Sequence, residues 1–485
     1  MDPRTPVVVG VGQITVRDGE PLEPLALMEA AARAAADDAG MGLEGLQSIV
    51  VVDAMSAPLG DPGAALAQRL GATPAETVRT GIGGNGPQTA VNDLATRIAA
   101  DGLDFALIAG AEAMATLQTY GKRGEQVPWA LSDDGAQATR QLGPDRAGTL
   151  DAESAGGLYA PIFIYPLFEQ ALRGAAGRTP EEHLDHISGF WSRFSDVAAA
   201  NPNAWSQEAF TAEEIATVSG DNRRVSDPYN KRHNAHIGVD QGAALLLCSV
   251  AFAEAGGVPQ DRWVFPVAGA GAADHWHVTE RDELHRSPAL RLCGEAVFEH
   301  AGDVELGPVN LYSCFPSAVQ IAAAELGLPL DRQLTMTGGL AFFGGPGNNY
   351  ATHGIAEVVT ALREDPDAFG LATALGYYAT KHAVGLYSGT PPETPFQAFD
   401  VQDQVDALPR RALAENHAGE ATVESYTAIF ERDGSAGMGV VVGRLGDGRR
   451  CAVKSHDPDA LAELQASDPL GRTVTVTAPE GFAFT

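Results

Sequence analysis

The segments GGNGPQTAV at residues 83–91 and GGPGNNYATH at residues 344–353 decide the fold of this chain. Each is a glycine-rich turn followed by an amphipathic helix pattern, and each helix pattern leads into an apolar strand pattern, at residues 104–109 and 368–374. The repeat is too long for a solenoid period, so it predicts two similar α/β halves that face each other. Because the first amides of a helix lack partners, two converging helix ends would form one composite site for an anion or oxyanion.

Four further segments, taken in order and spacing, resemble the thiolase superfamily over about residues 6–390. They are the strand and helix patterns at residues 7–12 and 25–39, DFALIAGAEAM at 104–114, RVSDPYNKRHNAHIGVDQGAALLL at 224–247, and VNLYSCFPSAV at 309–319. The last stands where sterol-carrier-protein-type thiolases carry an HDCF motif. The resemblance is nearest to the thiolase-like proteins of type 1, which have an additional C-terminal domain.

This resemblance implies an α/β fold, namely a duplicated five-layered α/β/α/β/α core. We expect the core in residues 1–115 and 236–392, interrupted by a loop domain at residues 116–235. The proline-rich segment SGTPPETPFQ at residues 388–397 is typical of a linker. Beyond it, short strand patterns at 422–430, 439–444, 451–454 and 473–477 predict a small, OB-like β-barrel at residues 400–485. Two roles are compatible with this barrel: it takes part in the handling of acyl-CoA, or it is only a module for stability or docking.

The thiolase fingerprints are largely missing. In a working thiolase, the first glycine turn presents a cysteine at a helix N-terminus, where its pKa is lowered. Gly84 occupies that position, and the family's Cys-x-Ser corresponds to Gly84, Asn85 and Gly86. The histidine of the GHP motif is replaced in Gly344-Gly345-Pro346, and the stretch at residues 374–385 has no cysteine. Thiolysis through a cysteine at the first turn is therefore excluded.

Other residues remain as catalytic candidates. Cys314 matches the cysteine of the HDCF motif, which the resemblance implicates in acid–base chemistry; the alternative is a buried structural thiol. Tyr312 takes the place of that motif's histidine. The resemblance extends here to thiolase-fold aldolases that shorten steroid side chains, which have a tyrosine at this position and a second one before a His-Gly pair. Tyr350 precedes His353-Gly354 at a similar but longer spacing.

A second group of residues is predicted to bind substrate. The amides of Gly84, Asn85 and Gly86 and the helix end at Asn348 and Asn349 are candidates for an oxyanion hole. The two asparagines are equally compatible with simple N-caps. His353 is a candidate donor to a thioester oxygen or a packing residue. His382 lines the pocket or lies on the surface.

Composition narrows the possible partners. The formal net charge of −31 argues against a nucleic acid partner. The four cysteines fit neither a zinc site nor a disulfide framework, and the histidine pairs lack ligand-spaced acidic or cysteine partners, so we expect no metal. There is no signal-peptide pattern and no run of 18 apolar residues, so we expect a cytoplasmic protein that binds no membrane. A homodimer and a monomer are both compatible with the sequence.

Three functional hypotheses follow, all with a coenzyme A thioester as substrate or ligand and without a bound cofactor. The first is an acyl-CoA acyltransferase that uses Cys314 in place of the lost nucleophile. The second is a retro-aldol carbon–carbon lyase that acts on a β-hydroxyacyl-CoA through Tyr312 and Tyr350. The third is an acyl-CoA-binding protein without turnover.

Overall fold

A computed structural model describes residues 1–18, 20–129 and 135–485. The first half of the core contains β1 (Pro6–Thr15), α1 (Pro24–Ala39), β2 (Ser48–Val51), α2 (Pro62–Leu70), β3 (Glu76–Thr80), α3 (Gly86–Ala99) and β4 (Phe105–Ala113). The following segment contains α4 (Met114–Arg123), β5 (Arg140–Leu142), α5 (Asp151–Ala155), α6 (Pro161–Ala176), α7 (Pro180–Ala200), α8 (Ala212–Ala216), β6 (Arg224–Ser226) and β7 (Tyr229–Asn230). Residues 130–134 of the predicted loop domain lie outside the described residues.

The rest of the chain contains the second half and a C-terminal domain. The second half has β8 (Asp240–Ser249), α9 (Val250–Ala255), β9 (Phe265–Ala273), α10 (Pro288–Ala301), β10 (Leu306–Asn310), α11 (Pro316–Glu325), α12 (Tyr350–Glu364), β11 (Phe369–Gly376), β12 (Lys381–Ser388) and β13 (Gln397–Asp400). The tail has α13 (Gln402–Asp406), β14 (Ala418–Phe430), β15 (Ala436–Arg444), β16 (Arg450–Ser455), α14 (Pro458–Ala466), β17 (Thr473–Thr477) and β18 (Phe482–Phe484).

Two mixed sheets form the core. The first has the order β1-β8-β4-β2-β3-β5, and the second has the order β10-β11-β12-β9-β13. Strand β4 is buried along its whole length, as expected for a strand that is covered on both faces. Strand β5 pairs in parallel with β3 and covers the edge that β3 would otherwise expose.

Helices α3 and α12 lie between the two sheets and contact both. Helices α1 and α2 cover the outer face of the first sheet, and α10 covers that of the second, with α11 packed against α10. The order of layers is therefore helix, sheet, helix, sheet, helix. The predicted five-layered α/β fold is confirmed. The predicted domain boundaries remain predictions. A range of sequence does not correspond to one layer of the fold: β8 follows the insertion in the sequence but pairs with β1 and β4 in the first sheet.

The C-terminal domain is a small sheet with the order β16-β15-β14-β17-β18. The amide of Gly481, next to β18, donates to the carbonyl of Lys454 on β16, which brings the two ends of the sheet together. The predicted small β domain of the tail is confirmed, and its OB-like character stays a prediction. One face of the domain packs inward, while Met438, Val440 and Val442 join the main core of the second half and the insertion.

Arg450 fixes this domain to the core. Its side chain is fully buried and binds both carboxylate oxygens of Glu424, at 2.7 and 2.8 Å. The same guanidinium donates to the carbonyls of Thr279, Arg281 and Asp282 in the second half. The C-terminal domain is therefore held by a buried, fully bonded cation rather than by a surface contact.

No helix in the described parts of the chain is long and apolar enough to cross a membrane.

Replacing Arg450 with methionine leaves three carbonyls without their donor and leaves Glu424 with Arg444 as its one remaining cation among the described residues. We expect Arg450→Met to lower the free energy of unfolding by about 3–5 kcal/mol, the usual cost of breaking a buried pair. Chemical denaturation measures this loss. Arg449→Met is the matched control, because Arg449 pairs with Asp447 on the surface and such pairs contribute about 0–1 kcal/mol. Equal effects of the two substitutions would contradict the assigned role of Arg450.

Candidate active site

The two glycine turns meet at the centre of the molecule. The side-chain carbonyl of Asn348 accepts a hydrogen bond of 2.9 Å from the amide of Gly83, and its amide nitrogen donates to the carbonyl of Asp53 at 2.8 Å. Asn348 is buried. The prediction that the two helix ends converge is therefore supported by a direct bond, and the side chain of Asn348 is occupied by it.

The first turn retains free donors. The amide of Gly86 is used within the turn, since it donates to the carbonyl of Gly83 at 3.0 Å. Within the described residues, the amides of Gly84 and Asn85 donate to no other group. Both lie at the positive N-terminal end of α3, where unpaired amides attract negative charge. The turn can therefore stabilise an oxyanion through two backbone amides.

Gly84 has no room for a side chain. A Cβ atom added there would lie against the hydroxyl of Tyr312, 2.7 Å from the Cζ atom of Tyr312 and 2.6 Å from the carbonyl oxygen of Leu375. Real Cβ atoms do not approach other heavy atoms so closely. The space that the family's nucleophilic cysteine would need is thus filled by a phenol from the second half.

Tyr312 lies between β10 and α11, in the segment that carries the sequence YSCF. Its backbone amide donates to Thr373 Oγ1 at 2.9 Å, which fixes the start of this segment to β11. Its side chain is largely buried, and its hydroxyl forms no hydrogen bond to any described residue. Burial raises the pKa of Tyr312 well above its usual value of 10. The hydroxyl therefore stays protonated and is free to donate to a ligand.

Tyr350 supports Tyr312 from the side. The two rings meet edge to face, with centroids 5.2 Å apart. The hydroxyl of Tyr350 is already bonded to Ser313 Oγ at 3.0 Å and to Thr337 Oγ1 at 2.6 Å. Burial raises the pKa of Tyr350 to about 12. In this arrangement Tyr350 holds the ring of Tyr312, and its own hydroxyl is not available to a substrate.

Cys314 is buried beside Tyr312, and its thiol is hydrogen-bonded to the hydroxyl of Tyr165. Burial raises the pKa of Cys314 to about 12, so the thiolate form is scarce at neutral pH. The hydroxyl of Tyr165 also donates to the carbonyl of Tyr377 at 3.1 Å and accepts from the amide of Ala379 at 3.0 Å. Tyr165 therefore joins Cys314 to the turn between β11 and β12.

His353 and Asn349 face the first half of the core. His353 Nδ1 lies 2.7 Å from the side-chain oxygen of Gln13 on β1, and burial lowers the pKa of His353 to about 3. Asn349 donates to the carbonyl of Gly110 on β4 at 2.6 Å, and its side chain makes no capping bond. Both residues connect α12 to the first sheet. For His353, this contact agrees with the second of the two roles considered from the sequence, that of a packing residue.

His382 lies inside the protein rather than on its surface. Its Nε2 is 3.1 Å from Asp274 Oδ2, 3.0 Å from Ser287 Oγ and 3.2 Å from the carbonyl of Ala379. Together with Tyr312 it lines a small pocket of about 20 Å³, which is room for about one water molecule. His382 therefore contacts the same small space as Tyr312 and supports the turn at Ala379.

The sequence analysis missed two residues of this region, Tyr165 and Lys381. Tyr165 comes from α6 in the insertion, and no local pattern links it to Cys314. Lys381 stands in the stretch that replaces the second cysteine loop, and its amine donates to the carbonyl of Ile82 beside the first glycine turn. The presence of a lysine in this stretch is the feature by which the sequence could have identified it. In the described parts of the chain, no group of three or more His, Cys, Asp or Glu side chains is arranged to hold a metal.

The lack of space at Gly84 gives a direct test. We expect Gly84→Ala to lower the free energy of unfolding by about 1–3 kcal/mol, since the methyl group overlaps Tyr312 and the carbonyl of Leu375. In a double-mutant cycle with Tyr312→Ala, the two losses should be less than additive by at least about 0.5 kcal/mol. Gly189→Ala on α7 is the control, because its Cβ meets no atom within 4 Å and the change should be neutral or stabilising. A neutral Gly84→Ala would show that the turn is not filled.

A structural role for His353 predicts a pH effect on stability. The folded protein holds this histidine with a pKa of about 3, whereas the unfolded chain has an ordinary value of about 6.5. The unfolded state therefore binds the proton more tightly, and stability falls by about 1.4 kcal/mol per pH unit as the pH drops from 6.5 towards 3. His353→Gln should reduce this slope by that amount in denaturation curves at pH 4–7. The exposed His456→Gln should leave it unchanged, and an unchanged slope in His353→Gln would contradict the prediction.

Comparison with known proteins agrees with this architecture. Residues 400–481 match the family described as "Thiolase-like protein type 1 additional C-terminal domain". The chain superposes with a TM-score of 0.85 on a monomeric SCP2-thiolase-like protein type 1 from Mycobacterium smegmatis, at 32% identity over 98% of this chain and 97% of that chain. A search of curated proteins finds no match to the sequence.

More distant structures share the fold alone. The Ltp2-ChsH2(DUF35) aldolase has a TM-score of 0.61 at 18% identity, over 80% of this chain and 99% of that chain. An acetyl-CoA acetyltransferase from Syntrophomonas wolfei has a TM-score of 0.54 at 16% identity, over 80% of this chain and 99% of that chain. The full-length similarity, together with the matched C-terminal domain, shows that the chain belongs to the SCP2-thiolase-like proteins of type 1.

Proposed function

We propose that this protein processes an acyl-CoA thioester with Tyr312 as a hydrogen-bond donor, and that the reaction is retro-aldol cleavage of a β-hydroxyacyl-CoA. One observation carries the proposal. The hydroxyl of Tyr312 occupies the space beside Gly84 where a thiolase would hold its nucleophile, and this hydroxyl bonds no described residue. A free phenol beside two unpaired amides suits a reaction that needs donors but no covalent acyl-enzyme.

The chemistry of the cleavage fits the groups present. Breaking the carbon–carbon bond next to a thioester leaves an enolate, whose negative charge lies mostly on the thioester oxygen. The amides of Gly84 and Asn85, at the N-terminus of α3, supply two donors for that oxygen. Tyr312 supplies a third donor, which keeps its proton because burial raises its pKa. Such preorganised donors stabilise the charge that develops in the transition state.

Acyl transfer through Cys314 has less support. Burial raises the pKa of its thiol to about 12, whereas a nucleophilic cysteine needs a lowered pKa or an adjacent base. The pocket beside Tyr312 holds about one water molecule and must widen before a substrate can reach the hydroxyl. A protein that does not widen in this way would bind acyl-CoA without turnover, which is the third hypothesis. A larger cleft of about 220 Å³ reaches the first turn from outside, between Ile82, Arg79 and Asp145.

The C-terminal domain fits a role as a built-in accessory module. In the structurally similar aldolase a DUF35 protein is a separate partner. Here β14–β18 contribute five strands to a seven-stranded sheet that β6 and β7 of the insertion complete. Lys454 and Gly481 join the two ends of the five strands, in an order compatible with the OB-like barrel predicted for acyl-CoA handling. Because Arg450 fixes this domain to the core and β5 covers the edge of β3, we propose that the protein works as a monomer.

Its four cysteines are free, which fits a reducing cytoplasm.

Removal of the Tyr312 hydroxyl tests the proposal. We expect the protein to release acetyl-CoA from members of a panel of 3-hydroxyacyl-CoA thioesters with linear, branched and ring-bearing acyl groups. Tyr312→Phe should lower kcat/KM by about 100-fold or more, the usual contribution of an oxyanion-hole donor. Stability should change little, since the hydroxyl has no partner among the described residues. Liquid chromatography with mass detection of both products measures the cleavage.

Cys314→Ala is the matched comparison. It should retain cleavage within about tenfold, because the thiol donates no proton in this scheme. Acid-quenched intact mass after exposure to acetyl-CoA and a 3-oxoacyl-CoA should show no acyl adduct. An adduct on Cys314 would favour the acyltransferase hypothesis. Unchanged cleavage in Tyr312→Phe would reject the retro-aldol role of this tyrosine, and CoA binding without any turnover would favour the non-catalytic hypothesis.

A further inference from the structure

Lys381 is an unusual lysine for its surroundings. It is the first residue of β12, and only 5% of it is exposed. It forms no salt bridge with any described residue, whereas the buried Arg173 and Arg450 both bind carboxylates. A buried cation without a carboxylate partner is costly, so its position calls for a reason other than stability.

The amine of Lys381 lies at the first glycine turn. It donates to the carbonyl of Ile82, and it is 2.7 Å from the point where a side chain on Gly83 would begin. The hydroxyl of Tyr312 lies in the corresponding place on Gly84. Consecutive Cα atoms are about 3.8 Å apart, so the amine and the phenol flank one short stretch of backbone. A ligand held by the amides of Gly84 and Asn85 is within reach of both.

The neighbouring Asn85 adds an independent sign of a binding site. Its side-chain oxygen is buried and has no hydrogen-bond partner in the described protein. This oxygen also lies 2.7 Å from the Cβ position of Gly83, on the same side of the turn as the amine. Buried acceptors in native proteins nearly always have a donor. A ligand hydroxyl placed between Asn85 and Lys381 would supply it.

The turn before Lys381 is built to hold this geometry. Tyr377 and Ala379 both have positive φ angles, of 55° and 50°, which side chains other than glycine rarely adopt. The hydroxyl of Tyr165 bonds the carbonyl of one and the amide of the other. The ring of Tyr377 lies 4.5 Å from the amine of Lys381. Strain of this kind persists where the surroundings enforce it, and it is common at functional sites.

Retro-aldol cleavage needs a group that removes the proton of the β-hydroxyl. The phenols of Tyr312 and Tyr350 and the thiol of Cys314 all have raised pKa values, so none of them accepts a proton at neutral pH. His353 is bound to Gln13 and faces the first sheet. The Nε2 atom of His382 is held by Asp274, Ser287 and the carbonyl of Ala379. Lys381 is therefore the remaining basic group beside the turn among the described residues.

We propose that Lys381 is the catalytic base of this site, acting on the β-hydroxyl of a 3-hydroxyacyl thioester; this inference rests on the proposed function. The neutral amine takes the hydroxyl proton, and the resulting alkoxide becomes a carbonyl as the bond between the α and β carbons breaks. The electron pair of that bond passes to the thioester as an enolate. The ammonium of Lys381 then returns its proton to the α carbon, which restores the amine and releases an acetyl-type thioester.

The electrostatic surroundings agree with this role. Burial lowers the pKa of Lys381 to about 8, and the opposing effect of the Asp145 carboxylate is smaller. The other groups that face the amine are the Tyr377 ring, the Asn85 amide and the Ile82 carbonyl, none of which is charged at neutral pH. The amine is neutral above its pKa and an ammonium below it. Activity should therefore rise with pH, with a midpoint near 8.

Exchange of the methyl protons of acetyl-CoA with D₂O tests Lys381 without knowledge of the full substrate. This exchange is the reverse of the final proton return, and mass spectrometry follows it. We expect the wild-type protein to catalyse it with a midpoint near pH 8. Lys381→Met and Lys381→Arg should both lose at least 100-fold, because one lacks an amine and the other cannot deprotonate. Lys122→Met, on the exposed end of α4, should behave as wild type.

Chemical rescue separates catalysis from a structural role. Lys381→Cys should be inactive, and alkylation with 2-bromoethylamine, located at residue 381 by peptide mass mapping, should restore at least a tenfold gain over the untreated variant. CoA affinity should stay within about threefold in all variants. Three results would each overturn the role of Lys381 alone. The first is exchange at the wild-type rate in Lys381→Met, and the second is a wild-type pH profile without a midpoint between pH 7 and 9. The third is a Lys381→Cys variant that stays inactive after alkylation. A wild-type protein that neither exchanges acetyl-CoA protons nor cleaves 3-hydroxyacyl-CoAs overturns the proposed function and Lys381 together.

Discussion

Buried amide hydrogen bonds between each central helix and the opposite half set the geometry of the whole core. On α3, Asn92 donates to the carbonyls of Ala270 and Val384 in the second sheet. On α12, Asn349 donates to Gly110 in the first sheet. Because an unsatisfied buried amide costs about 1–3 kcal/mol, the two halves can slide or separate only by breaking several such bonds at once. Apolar packing between the layers has no comparable directional preference.

This constraint requires small residues opposite the amides, and it explains why the strands contain glycine. A Cβ at Gly269 would overlap Asn92, and one at Gly110 would overlap Asn349. With the helices held this close, the two glycine turns are also brought together, and Asn348 binds Gly83 directly. The same closeness places the phenol of Tyr312 against Gly84. The site therefore depends on how tightly the halves join, and a thiol at residue 84 is incompatible with Tyr312 in its present position.

Local sequence patterns predicted helices and strands well, but they could not predict contacts between residues that are far apart in the sequence. The pattern at residues 25–39 predicted a helix, and α1 spans Pro24–Ala39. The bonds from Asn348 to Gly83 and from Tyr165 to Ala379 join residues more than 200 positions apart, and no sequence period encodes them. For the same reason the sequence left the roles of His353 and Asn349 open.

The distribution of charge inside the protein separates structure from chemistry. Arg173 and Arg450 are buried with bidentate carboxylate partners, which is what a structural cation requires. Lys381 is buried with a carbonyl, an aromatic ring and a distant carboxylate, an environment that favours its neutral form. Around it, burial keeps the phenols and the thiol protonated. We therefore propose that this site, with several protonated donors and one amine near its titration point, serves reversible carbon–carbon cleavage, which needs acid–base pairing, rather than thiolase chemistry, which needs a stable thiolate.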